Sequence, residues 1–375
     1  MIRVLQVIEK MDRGGAETFI MNLYRNINRS EIQFDFLVHD PLGHYIDEIK
    51  ELGGCIYTLP APSSIGIRKY KKLLKEVLLT NGPFHAIHSH IHHFSGVIVQ
   101  TAKTAKIPVR IAHSHTSRDF KVSNPLRNIY KKLMEALIKN NSTLLFYCSD
   151  KAGQALYGSN FKKDKRSVFI PNSVQLDQFK SVWQMDKSEI RSQLGIPLSK
   201  KIVGHVGSFT TPKNHLFLID VFHHLVNTHP DFHLVLVGGG PLRPDIESKV
   251  NELGISENVT FFGVTNDVPM VLRTFDIMLF PSLFEGLPTV IVEAQAAGIP
   301  SVLSNTITAE VDMDLGLLVY NDLNFTLDHW SNTILELVNK PVPEYQIIVN
   351  KILSKGFDTA QVAELCERLY INGHK

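Results

Sequence analysis

The chain has 375 residues, 44% of them hydrophobic and 20% charged, which suits two ordinary domains and excludes a disordered or collagen-like polymer. The formal net charge of +2 hides an asymmetry, since residues 1–180 hold 26 Lys and Arg against 15 Asp and Glu while the remainder holds 13 against 22. No uninterrupted apolar run approaches the ~18 residues of a membrane-spanning helix.

In chain order, "RVLQVIE" reads as a first strand and not as a cleaved leader. "KMDRGGAET", residues 10–18, then turns into a helix over "GAETFIMNLYRNI". Gly14 and Gly15 permit a tight turn, and Glu17 suits the first helical turn. "FDFLVHD", "HAIHSH", "RIAHSH" and "LLFYCS" are further short strands with helices between them. Strand and helix in alternation predict a parallel sheet covered on both faces. Histidines crowd two of these strand ends. His113 and His115 are read as facing opposite sides of their strand, with one of them toward a ligand. The "HSHIHHF" cluster, His88, His90, His92 and His93, has no adjacent carboxylate and no zinc-like spacing, so no metal is expected. Cys55, Cys148 and Cys366 are few and scattered, which fits neither a disulfide framework nor a zinc site and suits a reducing cytoplasm.

"SIGIRKYKKLLKEVL" and "NPLRNIYKKLMEALIKN" read as basic helices. In the second, Leu126, Ile129, Tyr130 and Leu133 form a stripe flanked by Arg127, Lys131 and Lys132. Either it packs on its own sheet or it docks on anionic lipid. No nucleic-acid motif or aromatic stacking platform is visible, so nucleic acid is not an expected partner.

The strand-and-helix pattern restarts with "KIVGHVG", "FHLVLVGGG", "VTFFGV", "FDIMLF" and "SVLSN". Two doubly wound α/β units therefore follow one another, with boundaries placed at 1–175 and 176–355 and a last helix, 356–375, that either ends the second unit or crosses back to the first. Ligands of such folds sit at the carboxyl ends of the strands, here in the cleft between the lobes. "LVGGGPLRPDIE" fails the dinucleotide fingerprint because Arg243 stands where the third glycine belongs. The only Asp-x-Asp, Asp312 and Asp314, reads as a surface turn.

"FPSLFEGLPTVIVEAQAAGIPSVLSN", residues 280–305, places Glu285 and Glu293 in an otherwise apolar strand–turn–helix. Pro288 suits the first helical position and Gly298 the stop. The turn then aims unpaired amides and the positive helix end at an anion such as a diphosphate, with Gly286 allowing close approach. Glu293, further along, could accept bonds from the vicinal hydroxyls of a ribose. Alternatively, Glu285 caps the helix and Glu293 lies on its wet face.

This stretch resembles the Glu-(seven residues)-Glu motif of the retaining glycosyltransferases of family 4, which have the GT-B fold, in particular bacterial exopolysaccharide and capsule transferases. "VGHVGSFTTPKNH", "ENVTFFGVTNDVPMVLRTFDIML", "LVGGGPLRPDIE" and "VFIPNSVQLDQF" are similar to further segments of that family. The resemblance implies two Rossmann-like domains, an N-terminal acceptor domain and a C-terminal donor domain. It implies a nucleotide-sugar donor, UDP-linked in most such relatives, and no cofactor or metal. It also implies site roles. Glu293 binds the ribose, Glu285 the transferred sugar, and the backbone of Gly286, Leu287, Pro288 and Thr289 the diphosphate. Lys213 pairs with the diphosphate, and Ser208 stands where the family has arginine, with Arg13 a cation that could offset it. Backbone at Phe262, Gly263 and Val264 holds the base, the Gly14–Gly15 loop touches phosphate and acceptor, and His115 contacts the transferred sugar. The implied activity is metal-independent transfer of a hexose or N-acetylhexosamine to a lipid-linked oligosaccharide, by a protein peripheral at the cytoplasmic membrane face. A nucleotide-sugar epimerase and a non-catalytic partner subunit are the alternatives.

Overall fold

The computed structural model describes residues 1–116 and 124–373; Ser117, within the "VRIAHSHTS" segment, and the last two residues fall outside these. Contacts divide the chain into two units, Met1–Ser173 with Thr359–Lys375, and Val174–Asp358.

The first unit carries β1 (Ile2–Lys10), β2 (Ile32–Asp40), β3 (Ile56–Thr58), β4 (Ala86–Ser89), β5 (Val109–Ser114), β6 (Leu144–Tyr147) and β7 (Ser167–Phe169). All pair in parallel, in the order β3-β2-β1-β4-β5-β6-β7. Strand β1 is mostly apolar on both sides from Val4 to Ile8, Gln6 apart, because both its faces are covered. Val4 and Ile8 enter one core, Leu5 and Val7 the other. Helix Gly15–Asn26 and the C-terminal helix Thr359–Asn372 cover the Val4 face through Phe19, Ile20, Val362, Cys366 and Tyr370. Leu365 and Leu369 of that last helix are partly buried at the margin, and Tyr370 reaches the centre.

The second unit repeats the plan with β8 (Lys201–Val206), β9 (Phe232–Val237), β10 (Val259–Gly263), β11 (Ile277–Phe280), β12 (Ser301–Ser304) and β13 (Leu318–Asn321), ordered β10-β9-β8-β11-β12-β13 and parallel. In both sheets the strand order reverses beside the first strand, between β1 and β4 and between β8 and β11. The carboxyl ends flanking such a reversal form the natural ligand crevice of each unit. The two-glutamate segment follows β11 and the Lys213 segment follows β8, so both motifs border one reversal.

Local geometry corrects one sequence expectation. Pro288 does not open the helix: it precedes Thr289–Ala296 with ψ 101°, outside the helical range, while its carbonyl accepts from the Ile291 amide at 3.1 Å. Gly14 and Gly15 take no left-handed conformation. Gly14 is extended at φ −153°, and its missing Cβ makes room for the Glu17 carboxylate, which folds back over it. A left-handed glycine is required instead at Gly238, φ +133°, where a Cβ would overlap the Gly207 carbonyl. The Asp312–Asp314 pair is a lysine-bound turn, with Lys355 Nζ 2.7 Å from Asp314 and 2.6 Å from the Asp312 carbonyl.

Candidate functional site

Lys213 ends a short 3-10 turn, Thr211–Lys213, before the helix His215–Thr228. Its ammonium lies 2.7 Å from Glu285 Oε1 and 4.7 Å above the Phe280 ring centroid. Both side chains are largely covered, at 16% and 14% exposure, so solvent screens the pair weakly. Two backbone ties hold the loops together: the Leu283 amide donates to Pro212 O at 2.8 Å, and Asn214 Nδ2 donates to Pro281 O at 3.2 Å. Behind them His205 stacks on Phe280 and donates Nδ1–H to Leu279 O at 2.9 Å. Burial holds His205 well below the usual histidine range, so no second cation forms beside Lys213.

Glu285 therefore does not cap the helix after β11. That helix has no side-chain cap, and among the described residues the amides of Gly286, Thr289 and Val290 have no protein acceptor. Three N–H groups without a protein acceptor around a helix start, beside a lysine, are the kind of arrangement that can receive an anion. Glu293 is the fifth residue of the helix and half-buried, not on a wet face. Burial pushes its carboxyl up to about 7. Raised above the unfolded value of ~4.4, this group favours the fold at low pH, and the benefit is lost as pH climbs from ~4.4 through 7. Glu293→Gln is thus expected to raise thermal stability at pH 8 by about 1–3 kcal/mol, with no gain at pH 4.5, while weakening nucleotide binding. Calorimetry at both pH values checks this.

Ser208 is exposed, its Oγ 3.3 Å from Thr210 Oγ1, and supplies no charge. Phe262 and Gly263 end β10, where Gly263 O accepts from the Gly238 amide at 2.8 Å, and Val264 stands 58% exposed just beyond. In the second unit, then, the structure joins Lys213 directly to Glu285, and Glu293 rises from the helix that the Glu285 loop feeds.

In the first unit, Gly14 is the residue before the helix, and burial raises the carboxyl of Glu17. His113 and His115 do not face opposite sides. Side chains two apart on a strand share a face, and their ring centroids lie 3.9 Å apart. His88 is in register with Gln6 of β1 and with Ile111 of β5, so Gln6, His88, His90, His113 and His115 gather on one face under Phe19 and Tyr370. The paired "HSH" triplets at the ends of two adjacent strands carried that signal, but strand adjacency was needed to use it. Three of these histidines, His88, His90 and His113, offer nitrogens within 4.8 Å of one another. Both nitrogens of His88 and both of His90 are nevertheless committed to protein partners, namely Tyr370, His113, His115 and Gln6.

Comparison with known proteins decides the family. Residues 13–178 match the model described as Glycosyltransferase Family 4, and residues 186–313 the model described as Glycosyl transferases group 1. A Bacillus subtilis (strain 168) protein described as glycosyltransferase EpsF is 36% identical over 361 residues, 96% of this chain and 94% of that one. The chain belongs to the GT-B glycosyltransferases. An Escherichia coli relative, 25% identical over 82% of this transferase and 78% of its own length, is a UDP-Gal:alpha-D-GlcNAc-diphosphoundecaprenol alpha-1,3-galactosyltransferase. HepE of Anabaena, solved in complex with UDP, superposes with a TM-score of 0.75 at 18% identity, covering 98% and 99% of the two chains, a likeness of fold. None of the transferase's described helices is long and apolar enough to cross a membrane.

Proposed function

We propose that this transferase moves a hexose or N-acetylhexosamine from a UDP-linked donor, with retention and without metal, to a lipid-linked oligosaccharide in exopolysaccharide or capsule synthesis. The observation that carries the reading is the Lys213–Glu285 pair beside the unpaired amides that follow Glu285. A departing nucleoside diphosphate gathers negative charge, and a fixed cation with fixed dipoles stabilises it. When the diphosphate takes Lys213, Glu285 is released toward the transferred sugar, and Glu293 accepts the ribose hydroxyls. Backbone at Phe262, Gly263 and Val264 borders the base, and the Gly14–Gly15 loop and His115 are the first unit's contributions. The diphosphate oxygen takes the acceptor proton on the face it leaves.

The acceptor class is supported by the named substrate of the Escherichia coli relative and by the surface of the first unit. On helix Pro125–Asn141, Leu126, Ile129 and Leu133 are 78%, 65% and 55% exposed, so these three do not pack on the core, whereas Tyr130 is partly buried against it. An exposed apolar stripe flanked by Arg127, Lys131 and Lys132 suits an anionic bilayer at the cytoplasmic face.

The test supplies UDP-sugars and a polyprenyl-diphosphate saccharide in anionic vesicles. Transfer with retained anomeric configuration is expected. A Leu126→Ser, Ile129→Ser, Leu133→Ser variant should lose vesicle binding severalfold yet keep transfer to a water-soluble acceptor. Release of a free, modified sugar would instead identify an epimerase, and turnover by no nucleotide sugar would identify a partner subunit.

A further inference from the structure

The buried histidines form a continuous hydrogen-bonded chain whose direction can be read. Gln6 and His88, His113 are fully buried, and Gln6 lies on a strand core otherwise built of Val, Leu and Ile. His90 Nε2 lies 2.9 Å from Gln6 Oε1, which can only accept, so Nε2 carries the proton. The other ring nitrogen, Nδ1, must then accept, and it meets His115 Nε2 at 2.8 Å. His115 is thereby left protonated on Nε2, with a bare Nδ1 that is buried and has no partner among the described residues. The amide orientation of Gln6 is the reference for this sequence, and it sets the direction of a second branch as well. Gln6 Nε2 donates to Tyr370 Oη at 3.4 Å, Tyr370 then donates to His88 Nδ1 at 2.8 Å, and His88 Nε2 donates to His113 Nδ1 at 3.1 Å. At the end of that branch His113 Nε2 carries the proton and is buried with no hydrogen-bond partner among the described residues. Burial keeps His88, His90 and His113 far below the usual histidine range and His115 at about 3, so each is a neutral, tautomer-bearing ring near pH 7.

We infer that Gln6 is a positioning residue: through His90 it fixes the His115 tautomer, so that Nδ1 is presented to substrate as a pure acceptor. The substrate group meeting it must be a donor, a sugar hydroxyl, and not a carbonyl or ether oxygen. This rests on reading His115 as the contact to the transferred sugar. Reversal of the Gln6 amide would invert each bond to His115 and offer N–H instead.

The experiment labels the full chain with 15N-histidine and records long-range proton–nitrogen spectra at pH 7, with His115 assigned by His115→Gln. A single Nε2–H tautomer is expected at His115 in the natural protein. Gln6→Leu should convert it to a mixture and lower kcat about tenfold, with UDP affinity unchanged. Gln6→Glu, whose carboxylate also accepts from His90, should restore the tautomer. Tyr370→Phe cuts the second branch and asks the same question if Gln6→Leu does not fold. An Nδ1–H tautomer in the natural protein, or an unchanged tautomer in Gln6→Leu and Tyr370→Phe, overturns the inference. His115→Ala with full transfer activity would overturn the sugar-contact reading alone, whatever the spectra show.

Discussion

Lys213→Ala is expected to lower the transfer rate by about 10³-fold, roughly 4 kcal/mol, because the leaving diphosphate loses its fixed cation. Ser208, on the same loop, is a hydroxyl and brings no second cation, so loss of the lysine should be felt more here than in a site with two cations. The substitution also takes the ammonium away from Glu285, 14% exposed. A carboxylate that loses its cation in a covered site destabilises the fold, so a fall in melting temperature should accompany the loss of rate. Lys213→Arg keeps the charge but not the point geometry, and partial recovery of rate with near-full recovery of stability is expected. Single-turnover rates and calorimetric melting on the three proteins check both parts. A Lys213→Ala rate within tenfold of the natural protein would mean that the leaving group is stabilised elsewhere.

The second large effect is expected in acid. His88, His90, His113 and His115 are all held neutral by burial, far below the ~6.5 they would have unfolded. For groups depressed in the fold, stability is complete above the unfolded value and is lost as pH falls from ~6.5 toward the folded values. Each contributes up to ~1.4 kcal/mol per pH unit, so four together approach about 5 kcal/mol per unit below pH 6. That slope consumes most of an ordinary domain's stability within two units. The first unit should therefore unfold near pH 5, where most carboxylates are still ionised. It should take up about four protons from these rings, titrating as a set and not one by one. Proton uptake on unfolding at pH 5.5, measured in two buffers of different ionisation enthalpy, checks the count, to which His39, His205, His215 and His233, also lowered by burial, add their own uptake. Uptake of fewer than two would show that the rings stay protonated in the fold.

Much of this was legible in the residues. Alternating apolar runs and helices specify two parallel sheets because each pattern has its own period, and the segment 280–305 carries its turn and helix in Gly286, Pro288 and Gly298. Three things were not legible. Pro288 could open a helix or precede one, and only its ψ decides. Lys213 and Glu285, 72 positions apart, were each assigned to a ligand, whereas without one they bind each other. The histidine chain depends on β1, β4 and β5 lying side by side and on the C-terminal helix delivering Tyr370, neither of which a linear pattern shows.

The most direct measurement is calorimetric titration of UDP and of uridine into the natural protein and Lys213→Ala. If the lysine and the free amides after Glu285 receive a diphosphate, UDP should bind the natural protein at least a hundredfold more tightly than uridine, and most of that preference should vanish in Lys213→Ala. Equal affinity for UDP and uridine in the natural protein, or an undiminished preference in the variant, would contradict it.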